Sequence, residues 1–142
     1  MVYPKRLIIS VILGMIAGLA CAYLSKPSLM ASMAAAMVPS VMCSIALNRT
    51  FIGFMIGISA WRMHWVLHGI AIGFFGSLPI AAPWIGQSGL TGFFIMMVAG
   101  MVWGFLIELL TTVVFKAPMR TLEPVKAEPA PAAPPPPATP TA

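Results

Sequence analysis

Charge is what this sequence has least of: 8% of its 142 residues are Asp, Glu, Lys or Arg, and three are acidic. Soluble domains carry about 25% charged residues, so an ordinary water-exposed surface is excluded. The three carboxylates, at positions 108, 123 and 128, form no paired acid and base of the kind hydrolytic chemistry uses. Cys21 and Cys43 are too few for a disulfide framework. Both lie in or beside apolar segments and read as small packing residues, with a single bridge between them left open. The phosphate loop, the dinucleotide-binding glycine fingerprint and the nucleophile elbow are missing as well. The chain is therefore expected not to be an enzyme and to need no cofactor.

What is present is apolar. Sixty percent of the residues are hydrophobic and the mean hydropathy is +0.97, which makes the lipid bilayer the expected solvent. Between residues 7 and 115 only Lys26, Arg49, Arg62 and Glu108 are charged. The net charge of +5 and pI near 9.8 would suggest nucleic acid in a soluble chain. Here the cations flank apolar runs and read as topology signals, so no nucleic-acid partner is expected. Lys5 and Arg6 before an apolar stretch also resemble a signal peptide, and Ala20-Cys21 a lipoprotein cleavage site. Gly18 stands where such a site usually has leucine, and apolar runs continue throughout the chain, so this segment is read as a span.

The expected fold class is an all-α membrane protein: a four-transmembrane-helix bundle within residues 1–116 and a disordered Pro-rich tail, 117–142. Span one is 7–24, ended by Ser25-Lys26-Pro27-Ser28. Residues 29–40, interrupted by Pro39, are expected as a short interfacial helix. Span two is 42–61, with Arg49 in the outer half where its stem can snorkel. Span three is 64–80 and span four 90–115, joined by a turn containing Pro83, Trp84 and Gly89. The competing layout, a span at 29–47 and another from Thr50, would bury Arg62, His64 and His68 near the midplane. An arginine there costs about 2.5–3.5 kcal/mol, which favours the first layout. Lys5, Arg6, Arg62, Lys116, Arg120 and Lys126 then share one side, so both termini are expected to be cytoplasmic and the chain integral to the cytoplasmic (inner) membrane. The tail holds nine of the 14 prolines and cannot build a core.

Each span carries one pair of glycines four apart: Gly14 and Gly18, Gly53 and Gly57, Gly69 and Gly73, Gly100 and Gly104. Such pairs leave a groove that lets helix backbones approach closely in lipid. They are expected to pack helices within one bundle, with contacts between subunits as the alternative. Counting by fours extends Gly53 and Gly57 back to Arg49, and Gly100 and Gly104 forward to Glu108, so both charges point into the protein. A carboxyl group in an apolar span needs a cation if it is to stay ionised, which makes Glu108 the first candidate for proton or cation coupling. Matching depth pairs it with His68 or Arg62 and keeps it from Arg49.

His64 and His68 stand one turn apart, a spacing that can present two imidazoles to one metal. The sequence supplies no third ligand nearby, so no metal site is expected. Asn48-Arg49-Thr50 matches a glycosylation sequon but sits inside an apolar boundary. The 12 methionines read as flexible apolar filler. The functional expectation is an accessory or structural subunit of a membrane complex, self-associating or joined to a partner through glycine faces. The alternative is a small proton- or cation-coupled transporter or channel using Glu108 with Arg62, His64 and His68.

Overall fold

The computed structural model describes residues 4–61 and 63–117. They form an all-α bundle of four helices: α1 (Pro4–Ser32), α2 (Val38–Ile58), α3 (Trp65–Ala81) and α4 (Trp84–Leu109), which runs on into a π-helical turn, Leu110–Val114. α1, α2 and α4 with its π turn are long and apolar enough to cross a membrane. α3, with 17 residues, reaches about 25 Å, short of a hydrocarbon core of about 30 Å. The tail from residue 118, Arg62, and the cations Arg120 and Lys126 lie outside the described residues.

Two boundaries differ from the sequence reading, and proline explains both. Pro39 does not interrupt a helix. It opens α2 at its first turn, where the missing N–H would have had no partner anyway. Pro27 lies within α1, which continues to Ser32. The segment 29–40 is therefore no separate interfacial helix: it is the end of α1, a short connection and the start of α2. At the other turn, α4 begins at Trp84 and contains a break at Gly89, with φ 65° and ψ −162°. That conformation is open essentially to glycine alone. A Cβ at Gly89 would meet nothing within 4 Å, as at Gly86, whose φ is not positive. Gly89→Ala is thus expected to destabilise the protein by about 1–3 kcal/mol through backbone strain alone, while Gly86→Ala is neutral or slightly stabilising. Chemical unfolding of the two variants in detergent separates these outcomes.

The helices associate as two antiparallel hairpins. In the first, Gly14 faces Gly53 and the Arg49 carbonyl, Gly18 faces Ala46, and Gly57 faces Leu7 and Ser10. In the second, Gly69 faces Gly104 and Glu108, and Gly73 faces Gly100. A Cβ at any of these positions would fall on the opposite helix closer than side chains ever approach. The hairpins meet across an apolar seam of Ile52, Ile56, Ile72 and Ile107, flanked by Ala17, Leu13 and Trp103.

Polar groups line the inside and apolar ones the outside. Arg6, Ser10, Arg49, His68, Ser77, Glu108 and Thr111 are buried, whereas Ile12, Ile16, Leu19, Phe51, Phe54, Phe75, Phe94 and Ile95 are exposed. In water this distribution would leave large contiguous apolar patches exposed and prone to association. In lipid it costs nothing there, and it lets the few polar side chains satisfy one another.

Candidate functional site

The buried carboxylate of Glu108 is the centre of the site. It lies on α4, four residues beyond Gly104, and is fully buried. Arg6, near the start of α1, directs Nη2 at both of its oxygens, 2.7 Å from Oε1 and 3.0 Å from Oε2. His68, one turn into α3, places Nδ1 3.1 Å from Oε2. An ionised carboxylate only accepts, so Nδ1 is the donor in this contact when Glu108 is ionised. Nε2 is buried and has no hydrogen-bond partner. Thr112 donates its hydroxyl to Oε1 at 2.8 Å and accepts from Arg6 Nη1 at 3.2 Å. Three helices thus converge on one anion.

Local geometry at the end of the last helix completes the cluster. The π turn closes with Phe115 N–H donating to the Leu110 carbonyl, five residues back, so the coil is wider than an α-helix. Lys116 then adopts a left-handed conformation, φ 49°, a common way for a helix to stop. These two departures bring the Ala117 carbonyl to Arg6 Nη1 at 2.7 Å. The start of α1 and the end of the last helix are therefore tied together by one guanidinium.

A second polar cluster joins the hairpins nearer the other end. Arg49 Nη1 donates to Asn48 Oδ1 at 2.8 Å and to Ser77 Oγ at 3.1 Å, and Asn48 Nδ2 donates to the Gly76 carbonyl at 2.8 Å. Arg49 does not snorkel as the sequence reading expects; it is 2% exposed. Because α2 begins at Val38, Arg49 sits about 16 Å along the helix, near its middle, and its side chain turns inward. The sequon nitrogen of Asn48 is likewise engaged inside the bundle.

The chain finds no match among protein-family models, curated proteins or solved structures. Its chemistry has to be read from the residues themselves.

Of the residues singled out in the sequence, the structure brings Glu108 and His68 together and keeps Arg49 away from both. His64 is elsewhere: it is exposed, caps α3 by accepting from Val66 N–H at 3.4 Å, and lies against the Trp65 ring. The two histidines do not converge, and among the described residues no group of three metal-ligating side chains exists. Arg62, the other partner considered for Glu108, lies outside the described residues. Cys21 and Cys43 are free thiols.

Arg6, Ser10, Ser77 and Thr112 escaped the sequence reading. Arg6 looked like one of a basic pair marking topology. The signal that identifies these residues is the spacing already used for Arg49 and Glu108. Arg6, Ser10, Gly14 and Gly18 fall four apart, as do Gly69, Gly73 and Ser77, and as do Gly104, Glu108 and Thr112. Every glycine stripe runs into a polar side chain.

Proposed function

We propose that this is a small, non-enzymatic integral membrane protein in which the Glu108–Arg6–His68 cluster couples protonation to a shift between the two helix hairpins, as in a proton- or cation-coupled transporter. One observation carries the reading: a fully buried carboxylate on the second hairpin is held by a cation from the first. Ionisable groups buried inside a membrane bundle are expensive and often mark ion or proton pathways. The glycine contacts hold each hairpin at close backbone approach, while the hairpins meet across the isoleucine seam, the packing of Ile80 and Trp84 against the Ala22–Leu29–Val38–Ile45 cluster, and the two polar clusters. Changing the charge at Glu108 acts on that seam directly. Lys5 and Lys116 stand at the same end of the bundle as the Arg6–Ala117 contact, which supports a cytoplasmic placement of both ends by the distribution of positive charge.

The test is reconstitution into vesicles with a pH gradient imposed, alone and with a Na⁺ or K⁺ gradient. Wild type is expected to dissipate the pH gradient faster than empty vesicles. Glu108→Gln, checked for helix content and monodispersity, is expected to return the rate to that of empty vesicles. Absence of flux in wild type under all these gradients would remove the transport reading.

An accessory-subunit role is the second reading; the apolar exterior, with Phe51, Phe54, Phe75 and Phe94 exposed, is compatible with lipid and with a membrane partner alike. A partner would have to dock on that exterior, because the glycine faces are filled within the chain.

A further inference from the structure

The acceptor positions of Glu108 are all taken. A carboxylate offers about four lone-pair sites, and four contacts fill them: Arg6 Nη2 and Thr112 Oγ1 on Oε1, Arg6 Nη2 and His68 Nδ1 on Oε2. A sodium or potassium ion needs several oxygens to replace its water shell. The neighbouring oxygens are engaged as well, the Ala117 carbonyl with Arg6 and the Thr111 hydroxyl with the Ile107 carbonyl. A metal ion at this point would also meet the Arg6 guanidinium, a like charge, at short range in a poorly screened interior.

A proton makes no such demand: it needs one donor aligned with one oxygen. His68 supplies the donor. Its ring meets Glu108 through Nδ1, and Nε2, on the far side of the ring, is buried with no partner among the described residues. With two nitrogens, an imidazole accepts a proton at one and releases another from the other. His68 lies in the first turn of α3, four residues after the cap His64 and about 6 Å along the axis from it. Trp61, in the connection between α2 and α3 and 48% exposed, sets its ring nearly perpendicular to the imidazole with the centroids 6.4 Å apart. An exposed ring thus lies directly against the buried one. The charged groups of the cluster are Arg6 from α1 and Glu108 from α4. Arg49 of α2 is held by Ser77, nine residues along α3 from His68 and about 13 Å away on the axis, and His64 is exposed and turned against Trp65.

We propose that the coupled ion is a proton, taken up at His68 Nε2 and handed on to Glu108, and that Na⁺ and K⁺ are not carried. This rests on the transport reading above and narrows it to one ion. In the step, Nε2 binds a proton, the Nδ1–H bond breaks as its hydrogen passes to Oε2, and a neutral ring remains with its hydrogen on Nε2. One proton enters and one reaches Glu108. Arg6 then faces a neutral acid, and the ion pair between the hairpins is gone.

Two measurements test the proposal and separate it from the transport reading. In the first, NMR follows isotopically labelled histidine nitrogens of the full chain in micelles, with His64→Gln removing the signals of the other histidine. At neutral pH Nδ1 is expected to be protonated and Nε2 bare; acidification should protonate Nε2, and replacing sodium by potassium or choline should change nothing. In the second, reconstituted wild type is expected to dissipate a pH gradient at one rate with or without Na⁺ and K⁺. His68→Gln, with helix content unchanged, should slow it by about a hundredfold, the low end of what a positioned proton donor contributes. The proposal is overturned by an Nε2 that is protonated at neutral pH or stays bare on acidification, by signals that shift with Na⁺ or K⁺, by flux that requires either ion, or by full flux in His68→Gln. Should that variant not fold, the NMR result decides. The expected NMR behaviour without any wild-type flux removes the transport reading and leaves the proton site standing; flux that His68→Gln does not slow removes the relay and leaves the transport reading.

Discussion

Glu108→Ala is expected to lower the free energy of unfolding by about 3–5 kcal/mol, because it strands two buried partners without their acceptor. Arg6 is 4% exposed and His68 is fully buried, so neither can turn to water for compensation without breaking the bundle. Thr112 loses its acceptor at the same time. The double variant Arg6→Met/Glu108→Leu should recover part of the loss, since apolar side chains of similar size commonly replace a buried ion pair at little net cost, while His68 still lacks its acceptor and the Ala117 carbonyl its donor. Denaturant unfolding in detergent, followed by tryptophan fluorescence, gives all three values. Were Glu108→Ala to unfold at the wild-type midpoint, the ion pair would contribute nothing and the cluster would lose its structural meaning.

A comparable loss is expected from a single methyl group at the hairpin contacts. A Cβ at Gly104 would strike the Gly69 carbonyl and lie 2.7 Å from the Gly73 Cα, so the obstacle is backbone on both counts. α3 and α4 would have to separate, which moves His68 away from Glu108 as well. Overpacking of this kind costs about 1–3 kcal/mol where neighbours can shift and more where they cannot, so Gly104→Ala is expected at or above the top of that range. Gly76→Ala is the graded comparison. There the new Cβ would meet Ile52 Cγ1 at 2.8 Å; Ile52 is fully buried and β-branched, but the obstacle is a side chain rather than backbone, and the cost should be smaller than at Gly104. Equal melting temperatures for the two variants would contradict the close backbone approach. The affected property is the fold of one chain, since Gly53 and Gly100, like Gly104, are packed against helices of the same chain.

The four helices were legible because apolar runs separated by proline, lysine and glycine leave little choice in lipid. Where the reading slipped, the sequence was locally ambiguous. Pro39 in an apolar stretch has the same appearance whether it breaks a helix or begins one, and only the packing of Val38, Val41 and Ile45 against Ala22 and Leu29 decides it. That four-residue difference moved Arg49 from a snorkelling position to mid-helix. The depth argument linking Glu108 with His68 needed only helix direction and length, both of which follow from the span order. Arg6 was concealed by its neighbour: beside Lys5 it reads as a charge marker, although its side chain continues the Ser10, Gly14 and Gly18 stripe. The bond to Ala117 depends on the π turn and the left-handed Lys116, and no local composition announces either.

The division into two zipped hairpins has a consequence for how the chain is made. Segments leave the ribosome in order, so α1 and α2 reach the translocation machinery first, and they carry Arg6 and Arg49 with neither Glu108 nor Ser77 yet synthesised. The leading half enters the bilayer with two charged side chains awaiting partners that arrive only with the trailing half. A truncated product would remain in that state and offer quality-control proteases a persistent mark of incompleteness.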